Sequence, residues 1–354
     1  MIEMQKKRLA IIFGGNSTEY EVSLQSASAV AANIPADRYE LILIGIGRDG
    51  SWYHYTGEID RILSDTWQVE AFCRPLTVSL DCDKKGFLEL DGDRYRCLGA
   101  DLVFPVLHGK NGEDGTLQGI FELMKLPLVG CGTLSSALCM DKDRAHKLVS
   151  LAGIEVPRSV AFARKNLEWA KMQIEEHLTY PLFVKPVRAG SSFGITKVMK
   201  KPELDEAVAL AFIHDEEVIV EEAIDGFEVG AAVLGTDDLI VGRVDEIELA
   251  GGFFDYTEKY TLKTSAIHMP ARIDAKTEAR IQEAARIIYR ALGCSGFARV
   301  DMFLTPRGKI VFNEVNTIPG FTAHSRYPNM MKGIGLSFAD MLEKLLSLYD
   351  KAED

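Results

Sequence analysis

Two apolar-rich runs, Gly296–Leu304 and the one leading through Phe312–Asn316, flank the breaker segment Thr305–Lys309 with its Pro306-Arg307-Gly308. Runs of this kind around such a turn fold as a β-hairpin. Centring the turn between Arg307 and Gly308 sets Asp301 opposite Glu314, and Arg299 opposite Asn316. Side chains alternate faces along a strand, so all four share one side of the sheet. Two facing carboxylates repel each other. A hard cation such as Mg²⁺ removes that repulsion, and oxygen ligands suit it. The plainer alternative is a solvated hairpin face whose charges do nothing. Asn316–Gly320 follows at once, however, and sets a turn at the mouth of the pair, where backbone N–H groups can point inward. That adjacency favours a site.

A chain of 354 residues accommodates two or three domains. Its net charge of −12 argues against nucleic-acid binding, which needs clustered cations. A locally basic pocket can still take an anionic substrate. The six cysteines, Cys73, Cys82, Cys97, Cys131, Cys139 and Cys294, include no C-x-x-C pair and read as reduced thiols of a cytoplasmic protein. The apolar run Leu9–Phe13 is too short for a secretion signal, and no stretch approaches bilayer length. No membrane partner is expected.

Leu9–Phe13 reads as a buried parallel strand, Gly14–Ser23 as a glycine-led turn and Leu24–Ala32 as a helix, the opening of a βαβ unit. The pattern G-x-G-x-x-G is absent, which sets aside a dinucleotide-binding dehydrogenase. Strands Glu40–Gly45 and Asp101–Leu107 follow, with an aromatic-rich stretch, Trp52–Trp67, between them to which no chemistry is assigned. His108–Gly115 comes directly after a strand of an open α/β sheet, where ligands bind. Within it Glu113 and Asp114 read as structural, Asp114 as the N-cap of a helix Gly115–Met124. His108 is balanced between a functional and a structural role. Asp141 is expected to cap a helix through Ala152. Lys142 lies in its first turn, where the helix dipole prefers an acid, so it faces either solvent or an anion.

The strand Tyr180–Val187 runs into Arg188–Gly194 and out again through Ile195–Met199. This glycine- and serine-rich flap has N–H and hydroxyl groups that can wrap phosphate oxygens, although it is no Walker A loop. Lys185, at the strand end, can meet a phosphate as a point charge. Further strands are expected at Glu216–Ala223, Val233–Leu234 and Ile240–Val244, with an ordered functional loop at Gly251–Tyr260 and an amphipathic helix Asp274–Leu292.

Several motifs now stand together: Gly-Gly-x-Ser-x-Glu-x-Glu-Val-Ser at 14–23, His-Gly-x-x-Gly-Glu-Asp-Gly at 108–115, Lys-Pro at 185–186, Gly-Ser-Ser-x-Gly at 190–194, Arg-x-Asp at 299–301 and Glu-x-Asn-x-x-Pro-Gly at 314–320. Over almost the whole chain they resemble the D-alanine–D-alanine ligases of the ATP-grasp superfamily. The sequence looks closest to the vancomycin-resistance branch that joins D-alanine to D-serine.

The resemblance implies a three-domain α/β ATP-grasp fold. Residues 1–135 would form an N-terminal parallel-sheet domain on the substrate side. Residues 136–222 would be the central ATP-grasp subdomain with the phosphate flap, and 223–354 the C-terminal one with the metal and second-substrate sites. ATP would phosphorylate the first D-alanine, and the amine of the second amino acid would then attack the acyl phosphate. Glu19 would hold the first ammonium, with Ser191 and Tyr260 in a hydrogen-bonded relay. Lys142, Lys185, Lys259 and Ser192 would contact phosphates, and Glu221 and Glu228 the adenine and ribose. Asp301, Glu314 and Asn316 would bind two Mg²⁺ or Mn²⁺, and Arg299 and the Gly320 N–H would form an oxyanion hole. His108 and Ser325 would touch substrate, Ser325 through the second carboxylate. Arg326 would read a serine hydroxyl directly or through a neighbouring acid; the alternative is a pair with a surface acid. The family also implies a cytoplasmic homodimer, and a housekeeping D-alanine–D-alanine ligase is the other activity to weigh.

Overall fold

The computed structural model describes residues 6–81, 83, 86–190, 193–249 and 265–349. The first sheet contains β1 (Lys7–Gly14), β2 (Tyr39–Ile46), β3 (Trp52–Tyr55), β4 (Cys73–Ser79), β5 (Gly86–Asp91), β6 (Arg94–Gly99) and β7 (Leu102–Pro105), in the order β6-β5-β4-β3-β2-β1-β7. Only β1 runs parallel to its neighbours β2 and β7. The expected parallel sheet is therefore a mixed one. The cause lies in residues 52–99, which supply four strands that pair antiparallel, each with the next. Between β5 and β6 only Gly92 and Asp93 intervene, and a two-residue turn permits no other pairing.

The aromatic stretch resolves as core. Trp67 has no exposed surface, packs edge-on to Phe13 and Tyr55, and donates its indole N–H to Tyr20 at 2.9 Å. Gly45 is required there, because a Cβ would stand 2.4 Å from the Trp67 ring.

The central sheet holds β8 (Ser159–Ala163), β9 (Leu182–Pro186), β10 (Thr196–Val198) and β11 (Glu217–Glu222), ordered β10-β9-β11-β8. The third holds β12 (Phe227–Leu234), β13 (Ile240–Leu249), β14 (Ser265–His268), β15 (Phe297–Leu304) and β16 (Ile310–Asn316), ordered β14-β13-β12-β15-β16. Both are antiparallel throughout. The amphipathic helix Ala275–Ala291 buries Ile281, Ala285 and Ile288 against the third sheet, and Asp274 caps it through Thr277 N.

Packing crosses the order of the chain. Helix Lys142–Leu151, capped by Asp141, puts Ala145 and Val149 into the core of the third sheet, although it precedes the central one. Helices Arg326–Lys332 and Phe338–Ser347 return Tyr327, Met330 and Met341 to the core of the first sheet. The C-terminal sheet thus shares a core with the first sheet, and the cavity between it and the central sheet reaches the β15–β16 hairpin at Phe303, Asn313 and Glu314. Among the described residues no helix is long and apolar enough to cross a membrane.

Candidate active site

The hairpin pairs Arg299 with Asn316, and Asp301 with Glu314. The register next to the turn is not the expected one. There Met302 pairs with Phe312 and Phe303 with Val311, one residue out of step, and a bulge at Asn313 restores the count. The bulge is what brings the two carboxylates opposite each other. Asp301 is fully buried. Arg299 grips it with Nε 2.8 Å from Oδ1 and Nη2 2.7 Å from Oδ2, and Asn316 Nδ2 donates to Oδ2 at 2.9 Å. Burial pushes the Arg299 guanidinium down; the Asp301 charge outweighs it and leaves the group above its ordinary value. Two carboxylates and an amide supply the oxygen donors that Mg²⁺ takes, so the donor set fits. Among the described residues no three His, Cys, Asp or Glu side chains converge as a ready-made cage.

Arg326 turns back beneath the same hairpin. Its Nε and Nη2 bind Asp245 Oδ2 and Oδ1 at 2.7 and 2.9 Å, and Nη1 meets Glu228 Oε1 at 3.1 Å. Nη2 also lies 3.4 Å from Asp301 Oδ1. Gly230 on β12 makes the room: a Cβ there would stand 2.4 Å from Nη2. The acids around Arg326 are therefore buried or nearly so, not surface groups. Asp245 orients the guanidinium. The expected strand Ile240–Val244 stopped one residue short of it.

An inner cavity of about 460 Å³ opens between the central and third sheets, lined by Lys142, Lys185, Glu221, Glu228, Asn313 and Glu314 among others. Lys185 Nζ binds Glu221 Oε2 at 2.7 Å, and Lys142, itself buried, donates to the Ala189 carbonyl at 2.8 Å. Burial pushes the Glu221 carboxyl up, but the Lys185 charge beside it outweighs that and holds it below the usual carboxylate range.

A second cavity, about 1270 Å³, runs from Glu19 and Lys110 past Arg144 to Arg188 and Gly190. Glu19 sits where two loops meet. A Cβ on Gly109 would be 2.2 Å from Glu19 Oε2, and one on Gly190 3.1 Å. His108, expected to touch substrate, is committed elsewhere. Its Nδ1 lies 2.8 Å from the Ile318 carbonyl, and its Nε2 3.2 Å from Ser26 Oγ, which accepts from Phe321 N. Burial lowers its pKa, and this bonding suits the neutral ring. His108 therefore positions the Ile318–Phe321 loop. Glu113 does the same from the other side, accepting from Ile318 N at 3.0 Å and Gly109 N at 2.8 Å. Asp114 accepts from Asn111 N and Thr116 N, but the N-cap position of helix Thr116–Leu123 is Gly115. Gly320 lies against Ser325, whose Oγ accepts from Thr322 N at 3.0 Å.

Ser191, Ser192, Lys259 and Tyr260, with the rest of the expected Gly251–Tyr260 loop, lie outside the described residues. Sequence reasoning missed Ser26, His146 and Asp245. Each is an ordinary residue in an ordinary helix or strand, and only tertiary packing brings it to the site.

Residues 8–131 match the family described as D-ala D-ala ligase N-terminus, and residues 148–347 the one described as D-ala D-ala ligase C-terminus. The crystal structure of VanG D-Ala:D-Ser ligase from Enterococcus faecalis is similar at 72% identity and a TM-score of 0.93, covering 98% of this chain and 100% of that one. The D-alanine–D-alanine ligase structure from Coxiella burnetii has 33% identity and a TM-score of 0.86, covering 97% and 94%. Vancomycin C-type resistance protein VanC1 of Enterococcus gallinarum is 43% identical over 348 residues, 98% of this chain and 99% of that protein.

Proposed function

Because the chain belongs to the D-alanine–D-alanine ligase family, an ATP-dependent amino-acid ligase family, we propose that it joins D-alanine to D-serine. The product would enter modified peptidoglycan precursors and confer vancomycin resistance. The observation that carries the D-serine reading is the Arg326 clamp: a guanidinium held by Asp245 and Glu228 at the start of the helix that follows Ser325. The 72% identity to VanG D-Ala:D-Ser ligase supports it. Arg326 and Asp245 would present a polar face to the serine hydroxyl, where an apolar pocket would suit a methyl group.

In this reading the D-alanine carboxylate attacks the γ-phosphorus of ATP, ADP leaves, and the amine of D-serine attacks the acyl carbon before phosphate departs. Glu19 binds the first ammonium. Ser191 and Tyr260 form the relay beside it, and Lys142, Lys185, Lys259 and Ser192 hold the phosphates. Glu221 and Glu228 hold base and ribose. Divalent cations bound by Asp301, Glu314 and Asn316 would neutralise phosphate charge. Arg299 and the Gly320 N–H stabilise the oxyanion, and Ser325 holds the second carboxylate. The His108 and Glu113 bonds to the Ile318–Phe321 loop keep Gly320 N–H aimed. A cytoplasmic homodimer completes the proposal.

Mass spectrometry of products formed from ATP with D-alanine and D-serine in competition tests it. D-Alanyl-D-serine is the expected main product. D-Alanyl-D-alanine alone would make the chain a housekeeping ligase.

A further inference from the structure

Between the inner cavity and an outer groove stands an imidazole that the reaction above does not use, that of His146, facing Glu221. His146 Nε2 lies 3.0 Å from the Asn313 carbonyl oxygen, which can only accept, so that nitrogen carries a hydrogen. In a neutral imidazole Nδ1 is then a bare acceptor. It faces Glu221 Oε1, another acceptor, across 3.6 Å. Both atoms are buried and neither has a hydrogen-bond partner among the described residues. Two acceptors facing each other in a dry wall are unfavourable. A hydrogen placed between them removes the conflict. The other oxygen of Glu221 is held by Lys185 at 2.7 Å.

We propose that His146 is a positioning residue of the nucleotide site, taking a proton at Nδ1 and holding Glu221 in place when Lys185 turns to a nucleotide phosphate. The inference rests on the roles proposed above for Lys185 and Glu221. Without nucleotide, Lys185 and Glu221 neutralise each other. Once the lysine pairs with phosphate, a carboxylate buried to 98% is left without its cation, a strongly unfavourable state. His146 is placed to take over, the proton coming from solvent. The groups facing this exchange are Lys185 from β9, Glu221 from β11 and Lys142 from the helix of His146 itself. From β16 come only the Phe312 ring and the Asn313 carbonyl. On the outer side Asp143, Lys147, Arg158, Glu176 and His177 line the groove. Because Asn313 is the bulge residue beside Glu314, the same imidazole ties the base side of the cavity to the carboxylate hairpin.

The test is calorimetric titration of the full chain with the β,γ-imido analogue of ATP, in two buffers of different ionisation enthalpy near pH 8. The wild type should take up close to one proton per nucleotide, because Nδ1 gains its hydrogen only when Lys185 leaves Glu221. His146→Leu should take up none and bind roughly 10- to 150-fold more weakly, the range for a hydrogen bond to a charged group. His146→Gln, whose amide donates without a proton, should recover much of the affinity and still take up none. Binding and proton uptake unchanged in either variant overturn the proposal, and His146→Gln decides alone if the leucine variant does not fold. Glu221→Gln separates the two layers of argument. If it binds the analogue as the wild type does, the reading of Glu221 itself fails. If it binds weakly while His146→Leu does not, only the role of His146 fails.

Discussion

The carboxylate hairpin and the wall of the inner cavity are both clusters of charge, yet they are assembled in opposite ways. In the hairpin, Arg299, Asp301, Glu314 and Asn316 come from two adjacent strands, and one turn with the Asn313 bulge sets which residues face. In the wall, Lys142 and His146 come from a helix, Lys185 from β9 and Glu221 from β11, so no local rule brings them together. The hairpin can be deduced from spacing. The wall exists only once the helix Lys142–Leu151 has docked on the third sheet. A perturbation should therefore act locally in the hairpin and propagate in the wall.

The largest expected effect is on the hairpin. Glu314→Ala removes one of the two facing carboxylates and should cut ADP formation by roughly 10³-fold or more, as the loss of several kcal/mol of charge stabilisation implies. Its unfolding free energy should change little, because Glu314 lines a cavity and is not part of the core. An ADP-release assay with a parallel urea melt measures both. Activity near wild type would remove the metal site from the hairpin.

The wall should respond differently. Lys185→Met removes the cation on Glu221 Oε2, and a proton on His146 should offset only part of the roughly 3–5 kcal/mol that stranding a buried carboxylate costs. ATP affinity should fall as well, because the phosphate contact proposed for Lys185 is gone. Adding Glu221→Gln should restore much of the stability and none of the affinity. If the double variant regains ATP binding, Lys185 serves the fold and not the nucleotide.

The sequence made the two regions unequally legible for physical reasons. Turn residues at 305–309 and alternation along the strands were enough to pair Asp301 with Glu314. Even so, the assumed turn centre was off by one, and the Asn313 bulge compensated. A bulge has no strong signature when its extra residue is an ordinary Asn. Asp245 escaped because β13 continues to Leu249, past the apolar run that defined the expected strand. Trp67 showed its aromatic character but not its partners, which come from Phe13, Tyr20 and Tyr55. The antiparallel extension at 52–99 was unread for a related reason: β6 is largely exposed and lacks the continuous apolar run that revealed β1.

Arg326 joins the hairpin to its surroundings, and its variant sharpens the contrast. Arg326→Leu alone removes the cation that Asp245 and Glu228 share, next to Asp301, so it should destabilise as a wall variant does. Paired with Asp245→Asn, which relieves part of that charge, it should shift the second-substrate preference from D-serine toward D-alanine. A lost hydrogen bond to a charged group corresponds to roughly 10- to 150-fold in the ratio of kcat/KM values. Competition at fixed pH reads this ratio, since the attacking amine must be neutral. An unchanged ratio places Arg326 outside the second-substrate pocket.

The smallest effect on turnover is expected at Glu113, which tests whether strand register alone aims the hairpin's exit loop. Burial, with Glu19 adding to it, pushes the Glu113 carboxyl up to about 8 from an ordinary 4.5, against the two N–H bonds from Gly109 and Ile318 that favour its charged form. Between those values the native protein keeps the proton while the unfolded chain has lost it. The native state binds more protons, so stability falls as pH rises through that window, by at most about 1.4 kcal/mol per pH unit, and levels off above it. Glu113→Gln stays neutral throughout and should lack this part of the slope. It retains one acceptor oxygen of two, which costs about 1 kcal/mol at pH 6 and at most a few-fold in turnover. Urea melts of both proteins at pH 6, 7, 8 and 9 should therefore converge or cross as pH rises. Parallel curves would mean that Glu113 does not titrate in this range. The Ile318–Phe321 loop would then be held equally well at every pH, with the hairpin's aim set by the strands and His108 alone.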